Sequence, residues 1–386
     1  MSAPVQHGLS EHSHGAGVPL QIRSDRQRSS SVADFPAITP QQDLWRYLQA
    51  DQLKGLDADV LAEYSEQVSF SGPAGVSFEW ILSSDALVGS IGLPEDRVSA
   101  AGYTNASKTL LVSIADELST SEEIKILVSG NSTTASALHI FVQAGKFSNT
   151  TLILEHQGLG VLSENVEISL ADEAKLNFVS LQNWDKGSAH VAAHFAKLAR
   201  NSFLKHTVAS FGGDLVRVTP TATFTGPGAE VELNGVYFAE AGQHLENRPF
   251  VDHAAPNCKS RVTYKGALQG DKAHTVWIGD VLIRAIAEGT DTYELNRNLL
   301  LTDGTRADSV PNLEIETGEI EGAGHASASG RFDDEHLFYL QARGITPDEA
   351  RRLVVLGFLV EVIQKTGIES LIERLTALLE EKLNRS

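Results

Sequence analysis

Residues 150–156, 164–172 and 175–182 read TTLILEH, ENVEISLAD and KLNFVSLQ. In each run apolar side chains alternate with polar ones. A period of two is what a strand with two unlike faces produces. The same pattern extends outward as TLLVSI (109–114), EIKILVSG (123–130), ALHIFVQAG (137–145) and AEVELNGVYFAE (229–240), with Gly, Asn or Asp punctuating the ends. The starts recur at roughly the 10–15-residue interval of repeated short strands, and no stretch between 110 and 340 reads as a helix. Evenly spaced strands over that length fit a β-solenoid, a sandwich or a propeller. No WD blade signature is present. A β-helix suits the near-uniform segments and the internal Asn, Thr and Ser, which can ladder from turn to turn.

The ends read differently. Residues 1–40 are expected to form a disordered tail. The first 34 are rich in Ser, His, Gly and Arg and hold few large apolar side chains, too few to offset the entropy of ordering. His12 and His14 form an HxH pair there, read as incidental. Residues 41–66 are expected to be a helical region of short helices, with Leu44, Tyr47 and Leu48 on one face and a break at Gly55. The β core is then assigned to 67–340 and a C-terminal helical domain to 341–386. In the latter, Thr346 is a good N-cap, Pro347 suits the first helical position, and Glu349 completes a capping box. Gly367 is a natural stop. A second helix, about 369–384, follows. The first is apolar around most of its girth (LVVLGFLV, 353–360), so something must bury it, either the rest of the chain or a partner protein.

The chain of 386 residues carries a formal charge of −19, of which 341 onward and the first 40 residues contribute almost nothing. That balance argues against nucleic-acid binding, which needs a basic face. The single cysteine, Cys258, excludes an intramolecular disulfide, a CxxC redox pair and a self-contained Cys₄ metal site. No apolar run approaches the ~20 residues that span a bilayer, and the N-terminus has no signal-peptide h-region, so the expected location is the cytoplasm, without membrane contact. There is no Walker A sequence, GxGxxG, GxSxG or HExxH. The many carboxylates are read as solvated strand edges and Cys258 as a small buried hydrophobe. His325 stands out, flanked by small residues in Glu321-Gly322-Ala323-Gly324-His325-Ala326-Ser327, which leave its imidazole unshielded.

Several segments together resemble the SufB/SufD family of iron–sulfur cluster assembly proteins. They are Asp252-His253 with Pro256, Ser260 and Tyr264-Lys265-Gly266; Asn296-Arg297-Asn298-Leu299-Leu300-Leu301; Val310-Pro311-Asn312-Leu313-Glu314-Ile315; Gly324-His325; Leu337-Phe338-Tyr339-Leu340 with Arg343-Gly344-Ile345; and Trp45-Arg46-Tyr47 near the start. SufB-type chains carry cluster-building cysteines, including a Cys-Asp step where this chain reads Asn298-Leu299-Leu300, so the resemblance is to the SufD side. It implies a mainly β fold, a right-handed parallel β-helix flanked by helical regions. It implies a non-catalytic scaffold in a SufBCD-type complex, paired with a SufB-like paralogue through the β-helices and docking a SufC-type ABC ATPase on its C-terminal helices. Leu353, Leu356, Phe358, Leu359 and Val362 are the candidate docking residues. His325 aligns with a histidine near the SufB–SufD interface, a candidate cluster ligand, and Ala323 stands where many SufD chains have a Cys. No cofactor would be bound tightly by this chain alone. The iron–sulfur cluster would be transient and shared with SufB, and ATP would act only through the ATPase. Two other readings are a β-helical carbohydrate-active enzyme, on fold analogy, and a homodimeric scaffold of the same family.

Overall fold

A computed structural model describes residues 26–64, 67–331 and 334–384. The strands in chain order are β1 (Ala62–Glu63), β2 (Gln67–Ser71), β3 (Val76–Leu82), β4 (Lys108–Ile114), β5 (Ile124–Ala144), β6 (Asn149–Leu170), β7 (Lys175–Trp184), β8 (Ala189–Leu198) and β9 (Phe203–Ser210). They continue as β10 (Leu215–Phe224), β11 (Glu230–Ala239), β12 (His244–Asn247), β13 (Phe250–His253), β14 (Lys259–Leu268), β15 (His274–Ile283), β16 (Asp291–Leu300), β17 (Arg306–Ile315) and β18 (Gly322–Gly330).

From β5 onward the main strands pair in parallel with strands one turn away. Lys175 lies against Phe203 and Phe203 against Glu230, so successive turns return to register after 28 and then 27 residues. One ladder runs β7, β9, β11, β14, β16, β18. The other runs from β6 through β8, β10, β12 with β13, and β15 to β17. This is a β-solenoid. Its lumen is filled by one parity of side chains, such as Leu152, Leu154, Val166 and Ile168 of β6, Phe178 of β7 and Val262 of β14. Corners stack as well as strands. Glu117, Phe147, Glu173, Asn201, Gly228, Asn257 and Gly289 all have positive φ, and each N–H donates to a carbonyl of the next turn. Asn and Gly tolerate that backbone best, which is why Asn and Gly punctuate the sequence.

The two ends of the solenoid differ. At the first, β3 and β2 pair antiparallel with β4 and β5. At the last, β17 pairs with β15 and β18 with β16, and neither has a strand on its other side among the described residues.

Among the described residues, four helices and three short 3₁₀ turns flank this core. Helix α1 (Arg97–Asn105) falls inside the stretch expected to be purely β. Asp96 caps it, accepting from the Ser99 N–H at 2.9 Å, and its first-turn carbonyls accept from Ser163 and Asn165 of β6. Helix α2 (Asp334–Gln341) lies before residue 341, so the strand pattern stops at Gly330 rather than 340. The 41–66 region holds only 3₁₀ turns at Asp43–Trp45 and Ala50–Leu53 and the short β1, because too few consecutive helix-favouring residues precede Gly55 at φ 90°. Trp45 is buried beneath the Arg217 guanidinium, 4.1 Å from its ring centroid. Of the expected tail, residues 1–25, with His12 and His14, lie outside the described residues. Residues 26–40 depart from it. Val32 and Phe35 are buried, and Arg97 donates to both their carbonyls. Those two apolar side chains suffice once a ready-made surface exists to receive them.

Helices α3 (Pro347–Gln364) and α4 (Glu369–Asn384) form a layer on the outer face of the first ladder. Val355, Leu359, Val362 and Ile363 of α3 and Leu371, Leu375 and Leu379 of α4 pack on Val179, Leu181, Ala209, Phe211, Val236 and Phe238. Polar ties rim the contact, such as Lys265 to Glu361 at 2.6 Å and Arg374 to Glu155 at 2.9 Å. Thr346 caps α3, but the capping box is half made. Thr346 Oγ1 accepts from the Glu349 N–H at 3.4 Å, while the Glu349 carboxylate turns to Arg352. No helix among the described residues is long and apolar enough to cross a membrane.

Candidate functional site at the open end of the solenoid

His325 sits on β18, the last rung, and its ring is exposed. In the parallel register it lies opposite Glu294 of β16. Paired residues in a parallel ladder share a face, so His325 stands on the lumen face at the open end. The same parity carries Ser327 and Ser329, whose hydroxyls join an inward-facing polar column. Asn298 donates to Ser329 at 3.1 Å, Ser327 to Ser309 at 2.7 Å and Ser309 to Asn296 at 2.7 Å. Below them the Tyr237 hydroxyl donates to Asn298 Oδ1 at 2.7 Å and accepts from Asn296 at 2.9 Å. Tyr237 and Tyr264 lie flat against Gly266 and Gly235, where no side chain would fit. The column is thus wedged in place from within the lumen.

Glu294 is the unusual member. It is 1% exposed, and neither carboxylate oxygen has a hydrogen-bond partner. A Cβ at Gly279 would meet Glu294 Oε1 at 2.8 Å and the Trp277 ring, so the carboxyl occupies space that only a glycine leaves. Burial, reinforced by the negative charge of Asp280, pushes its pKa up to about 8. At neutral pH the carboxyl is therefore mostly protonated. A buried, mostly protonated carboxyl thus lies one rung beneath an exposed imidazole.

The remaining sequence-derived candidates are placed as follows. Leu353 is exposed, Leu356 and Phe358 are half-buried, and Leu359 and Val362 are fully buried against the solenoid. The last two are consumed by the chain's own fold. Phe358 also receives the Lys265 ammonium 4.7 Å from its ring centroid. Phe338 and Tyr339 of α2 are also exposed, at 74% and 56%. Cys258 is a core residue, its thiol pushed up in pKa by burial. The carboxylates read as solvated edges include seven that are buried among the described residues, Asp96, Glu164, Glu167, Glu246, Asp252, Asp280 and Glu294. Glu294 could have been suspected, because it falls in phase with Asn296 and Asn298 on the buried face of its strand.

Residues 126–358 match the family described as SUF system FeS cluster assembly, SufBD core domain. The chain is 46% identical over 363 residues to an iron–sulfur cluster assembly SufBD family protein of Mycobacterium tuberculosis, covering 92% of this chain and 91% of that one. It is 44% identical over 363 residues to one of Mycobacterium leprae, covering 92% and 93%. A second SufBD family protein of the same Mycobacterium tuberculosis strain is 27% identical over 208 residues, 54% of this chain and 24% of that one.

Proposed function

The chain belongs to the SufBD family of iron–sulfur cluster assembly proteins, and from that premise we propose that it is the SufD-like, non-catalytic scaffold of a SufBCD-type complex in the cytoplasm. The observation that carries this reading is the open end. Two parallel strands, β17 and β18, each paired on one side only among the described residues, finish the solenoid, and an exposed strand edge is a template for another chain. His325 stands at that edge, with buried Glu294 on the rung beneath it. They offer one nitrogen and one carboxylate to an iron–sulfur cluster in assembly, the cargo of this reaction. The only thiol is buried Cys258, so thiolate ligands come from a Cys-bearing paralogue seated on the edge. That two SufBD family proteins occur in one relative's strain agrees with such a pair. Imidazole beside thiolates is an established iron environment.

The ATPase contact belongs on Phe338, Tyr339 and Leu353. ATP-driven dimerisation of the ATPase would pull on α2 and α3 and, through Lys265–Glu361 and the apolar layer, on the solenoid. The test is co-expression with the paralogue and the ATPase. Phe338→Glu with Leu353→Glu should lose the ATPase and keep the paralogue. His325→Ala should keep both and fail to mature an apo-acceptor. Unchanged ATPase capture removes the docking surface, and undiminished maturation removes the ligand role.

A further inference from the structure

A second group of histidines lies deep in the lumen, away from the open end. His156 and Glu164 of β6 and His190 and His194 of β8 point inward, in phase with Leu152, Leu154, Val166 and Ala192, and none is more than 1% exposed. His156 Nε2 is 3.0 Å from Glu164 Oε1. His190 Nε2 and His194 Nε2 lie 3.6 and 3.8 Å from Glu164 Oε2.

The rings are held from behind. His156 Nδ1 donates to the Leu181 carbonyl at 3.1 Å. His190 Nδ1 lies 2.6 Å from Gln182 Oε1 and 3.1 Å from the Trp184 indole nitrogen, whose N–H is shared between that Nδ1 and Gln182 Oε1. His194 Nδ1 is 2.8 Å from His206 Nε2. A neutral imidazole that donates from Nδ1 presents a lone pair at Nε2. Glu164 Oε2, His190 Nε2 and His194 Nε2 indeed have no hydrogen-bond partner. Three buried polar atoms thus face one another without partners in a dry lumen, where unsatisfied polar atoms are costly.

A cation resolves that conflict. The ligand atoms of His156, Glu164 and His190 all lie within 4.8 Å of one another. Metal–ligand bonds near 2.1 Å in a tetrahedron give edges of roughly 3.4 Å, and the separations above bracket that figure. Backing of Nδ1 by a carbonyl or an amide oxygen is the usual second layer of a metal-bound histidine. We propose that His156, Glu164 and His190, with His194 as a fourth ligand, bind one divalent first-row transition-metal ion. The donor set of imidazoles and one carboxylate suits zinc or ferrous iron and contains no thiolate. The ion is resident and structural, separate from the cluster at the open end, and it revises the expectation that this chain alone holds no metal. It does not depend on the scaffold reading, since it concerns the isolated chain.

With rungs on both sides, the site fills as the solenoid closes. Cobalt(II) is the probe. Full-length chain without an affinity tag is refolded with excess cobalt(II) and desalted. Wild type should hold one ion per chain with tetrahedral d–d absorption. Both should be lost in His190→Gln and in Glu164→Gln and retained in His325→Ala. Circular dichroism checks each variant's fold. Should the lumen variants fail to fold, wild type decides alone, because refolded protein without stoichiometric cobalt overturns the proposal. A folded His190→Gln variant that keeps the full band overturns it equally.

Discussion

The middle of the lumen and its open end use the same side chains to opposite effect. At His156, Glu164, His190 and His194, rungs above and below close the space, the carboxyl is held ionised, and burial pushes His190 and His194 toward the neutral form. At Glu294 and His325 the rungs stop. The carboxyl is kept protonated and the imidazole faces out. What differs is not the residue types but how many turns follow. On the reading proposed above, the solenoid holds a resident site where it continues and an exchange surface where it ends.

The first way to break this comparison is pH. The pKa of Glu294 is raised from its usual 4.5 to about 8. Its contribution to stability is therefore whole below pH 4.5 and lost as pH rises to 8. His190 is lowered from 6.5 to about 4. Its contribution is whole above pH 6.5 and lost as pH falls toward 4. Denaturant titrations should show both flanks. Glu294→Gln should flatten the alkaline flank by on the order of 4 kcal/mol, leaving the acid flank intact. An unaltered alkaline flank would mean that the Glu294 carboxyl is not the buried acid described here.

A smaller effect is expected at the wedge beneath the open end. Gly266→Ala places a methyl inside the space of the Tyr237 ring and should cost about 1–3 kcal/mol in urea unfolding. It should weaken pairing with a paralogue more than it disturbs cobalt binding by the lumen group. Equal damage to both would mean that the two regions are not separable. The smallest stability effect belongs to His325→Ala. Its ring is exposed, so the melting midpoint should shift by no more than the ~0.5 kcal/mol of an ordinary surface substitution.

Much of the fold is legible from alternation alone, because each rung is a short strand with one buried face. The runs 150–156 and 164–172 are in fact one strand, β6, bent at Gly158 with φ 79°. A glycine inside a strand pattern reads as a stop. Helix α1 escaped notice because Arg97–Asn105 is small and polar, with only a weakly apolar face. The C-terminal helices were clear from Thr346, Pro347 and Gly367, but what buries them was not. Their partner surface is assembled from Val179, Ala209 and Phe238, contributed by separate turns. The open-end histidine was legible by context. The lumen histidines were not, because only the register brings β6 and β8 together. Their one local sign is parity, His156 and Glu164 falling in phase with leucines and valines.

The central claim is that the open end is where this chain meets its paralogue and holds cluster in assembly. The direct measurement is the rate at which the complex reconstituted with the Cys-bearing paralogue and the ATPase matures an apo-acceptor, compared between wild-type chain and His325→Ala. The account predicts complexes of equal mass and a maturation rate that falls to the level of the paralogue and ATPase without this chain. Equal mass with an unchanged rate would contradict it.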